Sequence, residues 1–284
     1  MPAEPATPLS KRFAPWLDCL LWMLVGWLAI FLTSLLVFVA LRTFLSSQVV
    51  EPYLNLLPNL VGIALVLGLG LSRAGESPAR VLALKAPPWS TLPAVALSTI
   101  GLALLASELD TWMEEIFPPP DWVVEMYRRV LEYHTAWQLM GVALFLVVMA
   151  PLSEELMFRG LFLHRLAEGY GARHAVLGSA LCFGVFHLLP WQAVGAALVG
   201  IYLGWLLIRT RSIFVPMLAH ALFNLIPVAA AGLSSRSAIL RKLSAGDATA
   251  SHLPPAWLAL SAFAFALGAL ATRRAGAPGP TPDS

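Results

Sequence analysis

Leu139-Met-Gly-Val-Ala-Leu-Phe-Leu-Val-Val-Met-Ala-Pro-Leu-Ser-Glu-Glu-Leu-Met-Phe-Arg-Gly160 is the stretch that decides how this chain folds. Its first half is uncharged and apolar, as a hydrocarbon-embedded helix must be. Its second half brings Glu154, Glu155 and Arg159 into the same apolar setting. Carboxylates at membrane depth are costly and rare, and where they occur they mark a functional site.

The rest of the chain has the same character. Of 284 residues, 58% are hydrophobic and only 12% charged, against about 25% charged in a soluble domain. A spanning helix needs about 20 apolar residues. Outward from the quoted stretch (137–158), spans are expected near 17–41, 54–71 and 91–107 before it. After it they fall near 175–189, 192–208, 213–231 and 255–272. The fold class is therefore all-α, a polytopic transmembrane bundle of about eight spans. The first apolar run is too long for the core of a cleavable signal, which is about 7–15 residues. The net charge of +2, with its positives scattered, excludes a nucleic-acid surface. Cys19 and Cys182 both sit in apolar runs without metal spacing and are read as buried thiols.

Connecting charges orient the chain. Lys11 and Arg12 precede the first span, Arg73, Arg80 and Lys85 follow the second, and Arg165 and Arg173 follow the fourth. Arg209 and Arg211 follow the sixth, and Arg273 and Arg274 the last. Every second loop is basic, so both termini are expected in the cytoplasm. Arg236, Arg241 and Lys242 depart from that pattern. The acidic connection with Glu108, Asp110, Glu114 and Glu115 is expected outside. There, after Pro118-Pro-Pro120, Asp121 reads as the cap of an amphipathic surface helix. In outline, residues 1–15 and 275–284 read as disordered. Residues 16–136 hold the first spans and the outer loop, 137–231 a core of spans that carries the paired acids, and 232–274 the final loop and span.

Glu155 and Arg159 are four apart with the acid first, the favourable order for a same-face ion pair. Glu154 lies about 100° around the helix from Glu155, so it faces elsewhere and is free to act as a general base. Pro151 has no N–H to donate one turn back and is expected to kink or restart the helix, with Ser153 as cap. Two further apolar segments carry histidine. Phe183 and His187 share a helix face, and so do His220 and Asn224. His134, His164, His174 and His252 fall at span ends or in loops and read as solvated.

Three ordered motifs, Glu154-Glu155-x-x-x-Arg159, Phe183-x-x-x-His187 and His220-x-x-x-Asn224, resemble those of the CPBP intramembrane proteases. That family includes the type II CAAX prenyl endopeptidases and bacterial relatives similar to lysostaphin-resistance and bacteriocin-immunity proteins. The resemblance covers about 137–231. It implies an intramembrane endopeptidase that cleaves a membrane-associated protein or peptide near its C-terminus. Glu154 would activate water, His187 would help hold it, and His220 with Asn224 would stabilise the oxyanion. Glu155 and Arg159 would fix the helix and orient Glu154, with Phe183 walling the site. The resemblance leaves the cofactor open: none, or a divalent metal such as zinc held by Glu154, His187 and His220. A non-catalytic immunity or scaffold protein and a proton-coupled transporter are the alternatives. The expected partners are the substrate and the lipid bilayer, in a bacterial inner membrane.

Overall fold

The computed structural model describes residues 9–44, 54, 56–131, 133, 135–233 and 252–275. The acidic or basic character expected of 234–251, Arg236, Arg241 and Lys242 included, lies outside the described residues, as do 1–8 and 276–284. Within them the chain is helical, in the order α1 (Leu9–Phe44), α2 (Leu56–Ala74), α3 (Leu92–Ile116) and α4 (Asp121–Leu131). A long segment, Ala136–Phe186, follows, and then α7 (Pro190–Thr210), α8 (Phe214–Leu233) and α9 (Pro255–Ala275). α1 starts at Leu9, inside the stretch expected to be irregular.

Seven of the described helices are long and apolar enough to cross a membrane. One of them, Ala136–Phe186, has 51 residues, and at 1.5 Å per residue would run about 76 Å if straight, far beyond a hydrocarbon core of about 30 Å. Gly171 resolves this with φ 77° and ψ 165°, a backbone conformation that costs glycine little and other residues much. The helix breaks there into α5 (136–170) and α6 (172–186). α6 folds back along α5: Ser179 Oγ donates to Phe158 O at 2.6 Å, and the Phe158 ring meets Phe183 and Phe186 at 5.2 and 5.3 Å. Divided there, the described residues hold eight apolar helical runs, seven of them separate helices by length and composition and the eighth the returning α6.

Pro151 neither breaks nor restarts α5. The helix instead widens into π turns at Leu144–Met149 and again at Leu156–Phe162, with Ala150–Glu155 α-helical between them. Ser153 is not a cap; its Oγ donates to Ala150 O at 3.0 Å. α3 is two turns longer than its apolar run, so Glu108, Asp110, Glu114 and Glu115 ride on a helix and not in a loop. α4 is the expected three-turn helix after the prolines, with Val123 buried and Trp122 exposed.

Glycines let helices meet closely, as bilayer packing favours. A Cβ on Gly268 of α9 would lie 2.4 Å from Ala94 O, and one on Gly101 of α3 2.6 Å from Ser261 O, so α3 and α9 touch backbone to backbone. α7 packs on α6 in the same way, around Gly184 and Gly200. α1 pairs with α2 and leans on the site through Trp27, whose ring stacks on Phe186 at 5.9 Å and whose Nε1 donates to Phe186 O. Cys19 and Cys182 are buried free thiols.

His252, just before α9, is not a bland loop residue. Its Nδ1 meets Glu108 Oε1 at 2.6 Å and its Nε2 meets Glu115 Oε1 at 2.9 Å. The adjacent Leu253 N–H donates to Glu108 Oε2. The Glu108 hydrogen bond, aided by the Glu115 carboxylate, raises the imidazolium above the usual histidine range. A histidine whose folded pKa exceeds the unfolded value of about 6.5 contributes stability that is complete below that value. The contribution is lost as pH rises through the folded pKa. Thermal unfolding in detergent should therefore show Tm falling as pH rises above about 6.5, and the His252→Gln variant should lack that component of the slope.

Candidate active site

The site grows from the one-residue offset between Glu154 and Glu155. About 100° of helix rotation sends the Glu155 side chain to a fully buried position while Glu154 keeps 14% of its side-chain surface exposed. Glu155 Oε1 accepts from Arg159 Nη1 at 2.8 Å, one turn along α5. The Arg159 side chain is also fully buried. Its Nη2 donates to Gly200 O of α7 at 3.3 Å, and its Cζ lies 4.3 Å from the centroid of the Phe183 ring, a cation–π contact.

The same Glu155 oxygen is also 2.8 Å from His220 Nδ1. An ionised carboxylate only accepts hydrogen bonds, so Nδ1 carries the proton. The ring is thereby oriented with Nε2 3.7 Å from Glu154 Oε2. This corrects the expected geometry of the pair. Glu155 does more than pair with Arg159: it also holds His220, whose Nε2 faces Glu154. Nor is Glu154 alone, since His220 faces it. The pattern is that of a buried acid fixing the tautomer and orientation of a histidine whose other nitrogen faces the reaction space.

His187 is the residue that ends α6, directly after Phe186. Its Nδ1 is 2.8 Å from Phe183 O, one turn back. The carbonyl must accept, so His187 Nε2 is the nitrogen with a lone pair to offer. Phe183 ties the two histidines together: its ring centroid is 4.8 Å from that of His187 and 5.7 Å from that of His220, both edge-on.

Asn224, one turn beyond His220 on α8, donates its Nδ2 to Leu146 O at 2.9 Å. In the π register of Leu144–Met149 that carbonyl would look five residues on for a donor, and there it meets Pro151, which has none. Asn224 supplies the missing hydrogen bond and secures α8 to the turn before Glu154. One amide N–H remains unspent.

Glu154 lines a narrow cleft with about 20 Å³ of room, whose other walls come from α1, α2, Ser153 and Met157 of α5, and Phe186 of α6. Phe183 is not among its walls; it lies behind, between the histidines and Arg159. The conditional metal set of Glu154, His187 and His220 does not converge. Among the described residues the grouping with ligand atoms within 4.8 Å of one another is Glu76, His164 and Glu168, in the Arg80–Arg165 region. His220 Nδ1 is already engaged by Glu155. The motif residues as they stand do not form a three-ligand metal centre.

The family model described as Type II CAAX prenyl endopeptidase Rce1-like matches residues 136–226. That segment runs from the start of α5 into α8 and contains every site residue just described. The match covers about a third of the chain, and over that stretch the chain is similar to that family. Neither a curated protein nor a solved structure matches the chain.

Glu155 is the stability-critical member of the cluster. Removing one partner of a buried ion pair leaves the other charge uncompensated, at a cost of about 3–5 kcal/mol. Glu155→Ala should lose that much in equilibrium unfolding, and adding Arg159→Ala should restore part of it. Full stability of Glu155→Ala would contradict the pairing.

Proposed function

We propose that the chain is an intramembrane endopeptidase that hydrolyses a peptide bond of a membrane-associated protein or peptide near its C-terminus. In this reading it acts in a bacterial inner membrane and uses a glutamate-activated water. The observation that carries the reading is the approach of His220 Nε2 to Glu154 Oε2, with the imidazole held from behind by Glu155.

Glu154 takes a proton from water as the hydroxyl oxygen adds to the scissile carbonyl carbon. His187 Nε2 holds the same water. The carbonyl electron pair moves to oxygen, and the oxyanion is stabilised by His220, which enters the cycle as the imidazolium and keeps both ring protons throughout, and by the second N–H of Asn224. Collapse of the tetrahedral species breaks the C–N bond, and the proton held by Glu154 goes to the leaving amine. One water is consumed, and a carboxylate and an amine are released. The apolar walls keep bulk water from competing for these charges. A non-catalytic immunity or scaffold role would give Glu155 no reason to orient a histidine at a second carboxylate.

The test uses the full chain in proteoliposomes with two quenched fluorescent peptides. One carries an S-farnesyl cysteine four residues from a free C-terminus; the other is anchored by a transmembrane helix. Product masses are read in H₂¹⁸O. Cleavage with one ¹⁸O in the new carboxylate is expected with at least one peptide. Glu154→Gln should reduce it by at least about 10²-fold, the lower end for loss of a general base, with Tm unchanged within about 2 °C, as for a near-isosteric change. Cleavage at the wild-type rate in Glu154→Gln would remove Glu154 from the mechanism.

A further inference from the structure

Beyond the motif residues, the connection between α2 and α3 returns to α5. Gly75, at φ 67°, turns the chain out of α2, and a four-residue helix, Pro78–Val81, follows. Leu82 then seats on Gly160 of α5, where a Cβ would lie 2.6 Å from Leu82 Cδ2. Glu76 is thereby held against the last turns of α5, beside His164 and Glu168. His164 follows Glu154 by ten residues, about 15 Å along a helix.

His164 and Glu168 are four apart and share a face of α5. The imidazole is not solvated at its tip. Although 23% of the side chain is exposed, Nε2 is buried and has no hydrogen-bond partner among the described residues. Two carboxylate oxygens face that nitrogen, Glu76 Oε1 at 3.9 Å and Glu168 Oε1 at 3.7 Å. Both distances are beyond a hydrogen bond. An imidazolium paired with either acid would draw it in to about 2.7–2.9 Å; here the nitrogen stands off both.

The three atoms lie within 4.8 Å of one another. Zinc bonds of about 2.0–2.2 Å at the tetrahedral angle set ligand atoms about 3.3–3.6 Å apart. A small rotation of the two partly exposed carboxylates therefore closes the set around one ion. The second oxygen of each acid is already supported. Glu168 Oε2 accepts from Arg165 Nη1 at 2.9 Å, and Glu76 Oε2 lies 3.5 Å from Arg80 Nη1. Arg165 Nε in turn donates to Asp18 of α1 at 2.8 Å. Hydrogen bonds of this kind commonly orient a metal-ligating carboxylate. Three carboxylates face two guanidiniums here, so a cation would enter a region of net negative charge.

We propose that Glu76 Oε1, His164 Nε2 and Glu168 Oε1 form a binding site for a divalent transition cation of the zinc class, joining the α2–α3 connection to α5. One imidazole with two carboxylates favours such an ion over magnesium or calcium, which take oxygen ligands. Three protein ligands leave the fourth position to water. The site is separate from Glu154, His187 and His220, and it stands whether or not the chain hydrolyses peptides.

The full chain in detergent, stripped with EDTA and titrated with zinc chloride or magnesium chloride, tests the proposal by calorimetry and thermal unfolding. Wild type should bind zinc at this site, with Tm raised at least about 5 °C at free zinc 100 times Kd. Magnesium should leave Tm unchanged. His164→Leu, Glu76→Gln and Glu168→Gln should each weaken zinc binding at least about tenfold, the least that losing even a group supporting a ligand costs. His187→Gln and His252→Gln should bind zinc as wild type does. X-ray absorption of the zinc-loaded wild type, which needs no substitution, should show a single imidazole among oxygen ligands at about 2.0–2.2 Å. Absence of zinc binding, an equal rise in Tm with magnesium, full binding in His164→Leu, or two or more imidazoles on the metal would overturn the proposal.

Discussion

One oxygen atom, Glu155 Oε1, holds three helical elements in register. It accepts from Arg159 on its own helix and from His220 on α8, while Arg159 reaches on to Gly200 O of α7. The Glu155 and Arg159 side chains are both fully buried. A buried charge without its partner is several kcal/mol out of balance, so the elements cannot drift apart independently. The geometry of the candidate site follows from that constraint: once His220 Nδ1 is fixed on Glu155, Nε2 has one direction left, and Glu154 lies in it.

The backbone around the site is shaped to the same end. Pro151 removes a donor just where α5 must present two adjacent carboxylates. The helix accommodates it with π turns on both sides, and Asn224 covers the carbonyl that the proline leaves bare. The residue expected to act only on the oxyanion thus also joins α8 to α5. Phe183 has a comparable double position, receiving Arg159 on its face and standing perpendicular to both imidazoles. Gly171 completes the arrangement by turning α6 back so that Phe183 and His187 return to the level of α5.

Much of this was legible in the chain itself. Runs of about 20 apolar residues fixed an all-α bundle, because a bilayer admits little else. Even the turn hidden inside Ala136–Phe186 was visible as the polar stretch around Arg165 and Arg173. The i, i+4 spacings put Glu155 on Arg159 and His220 beside Asn224. What spacing cannot convey is the direction of a side chain across helices. The helical wheel separated Glu154 from Glu155 correctly but could not tell that His220 would arrive on the Glu155 side. The same limit hid the His252 clamp, whose partners are 144 and 137 residues away.

The central claim is that Glu155 fixes the tautomer of His220 and so aims Nε2 at Glu154. Solid-state ¹⁵N NMR of histidine-labelled protein in lipid, with the His220 signals assigned by difference from a His220→Gln sample, measures it directly. The account predicts a protonated, strongly hydrogen-bonded Nδ1 that becomes weakly bonded in Glu155→Gln. A neutral His220 with its proton on Nε2 and a bare Nδ1 would contradict it.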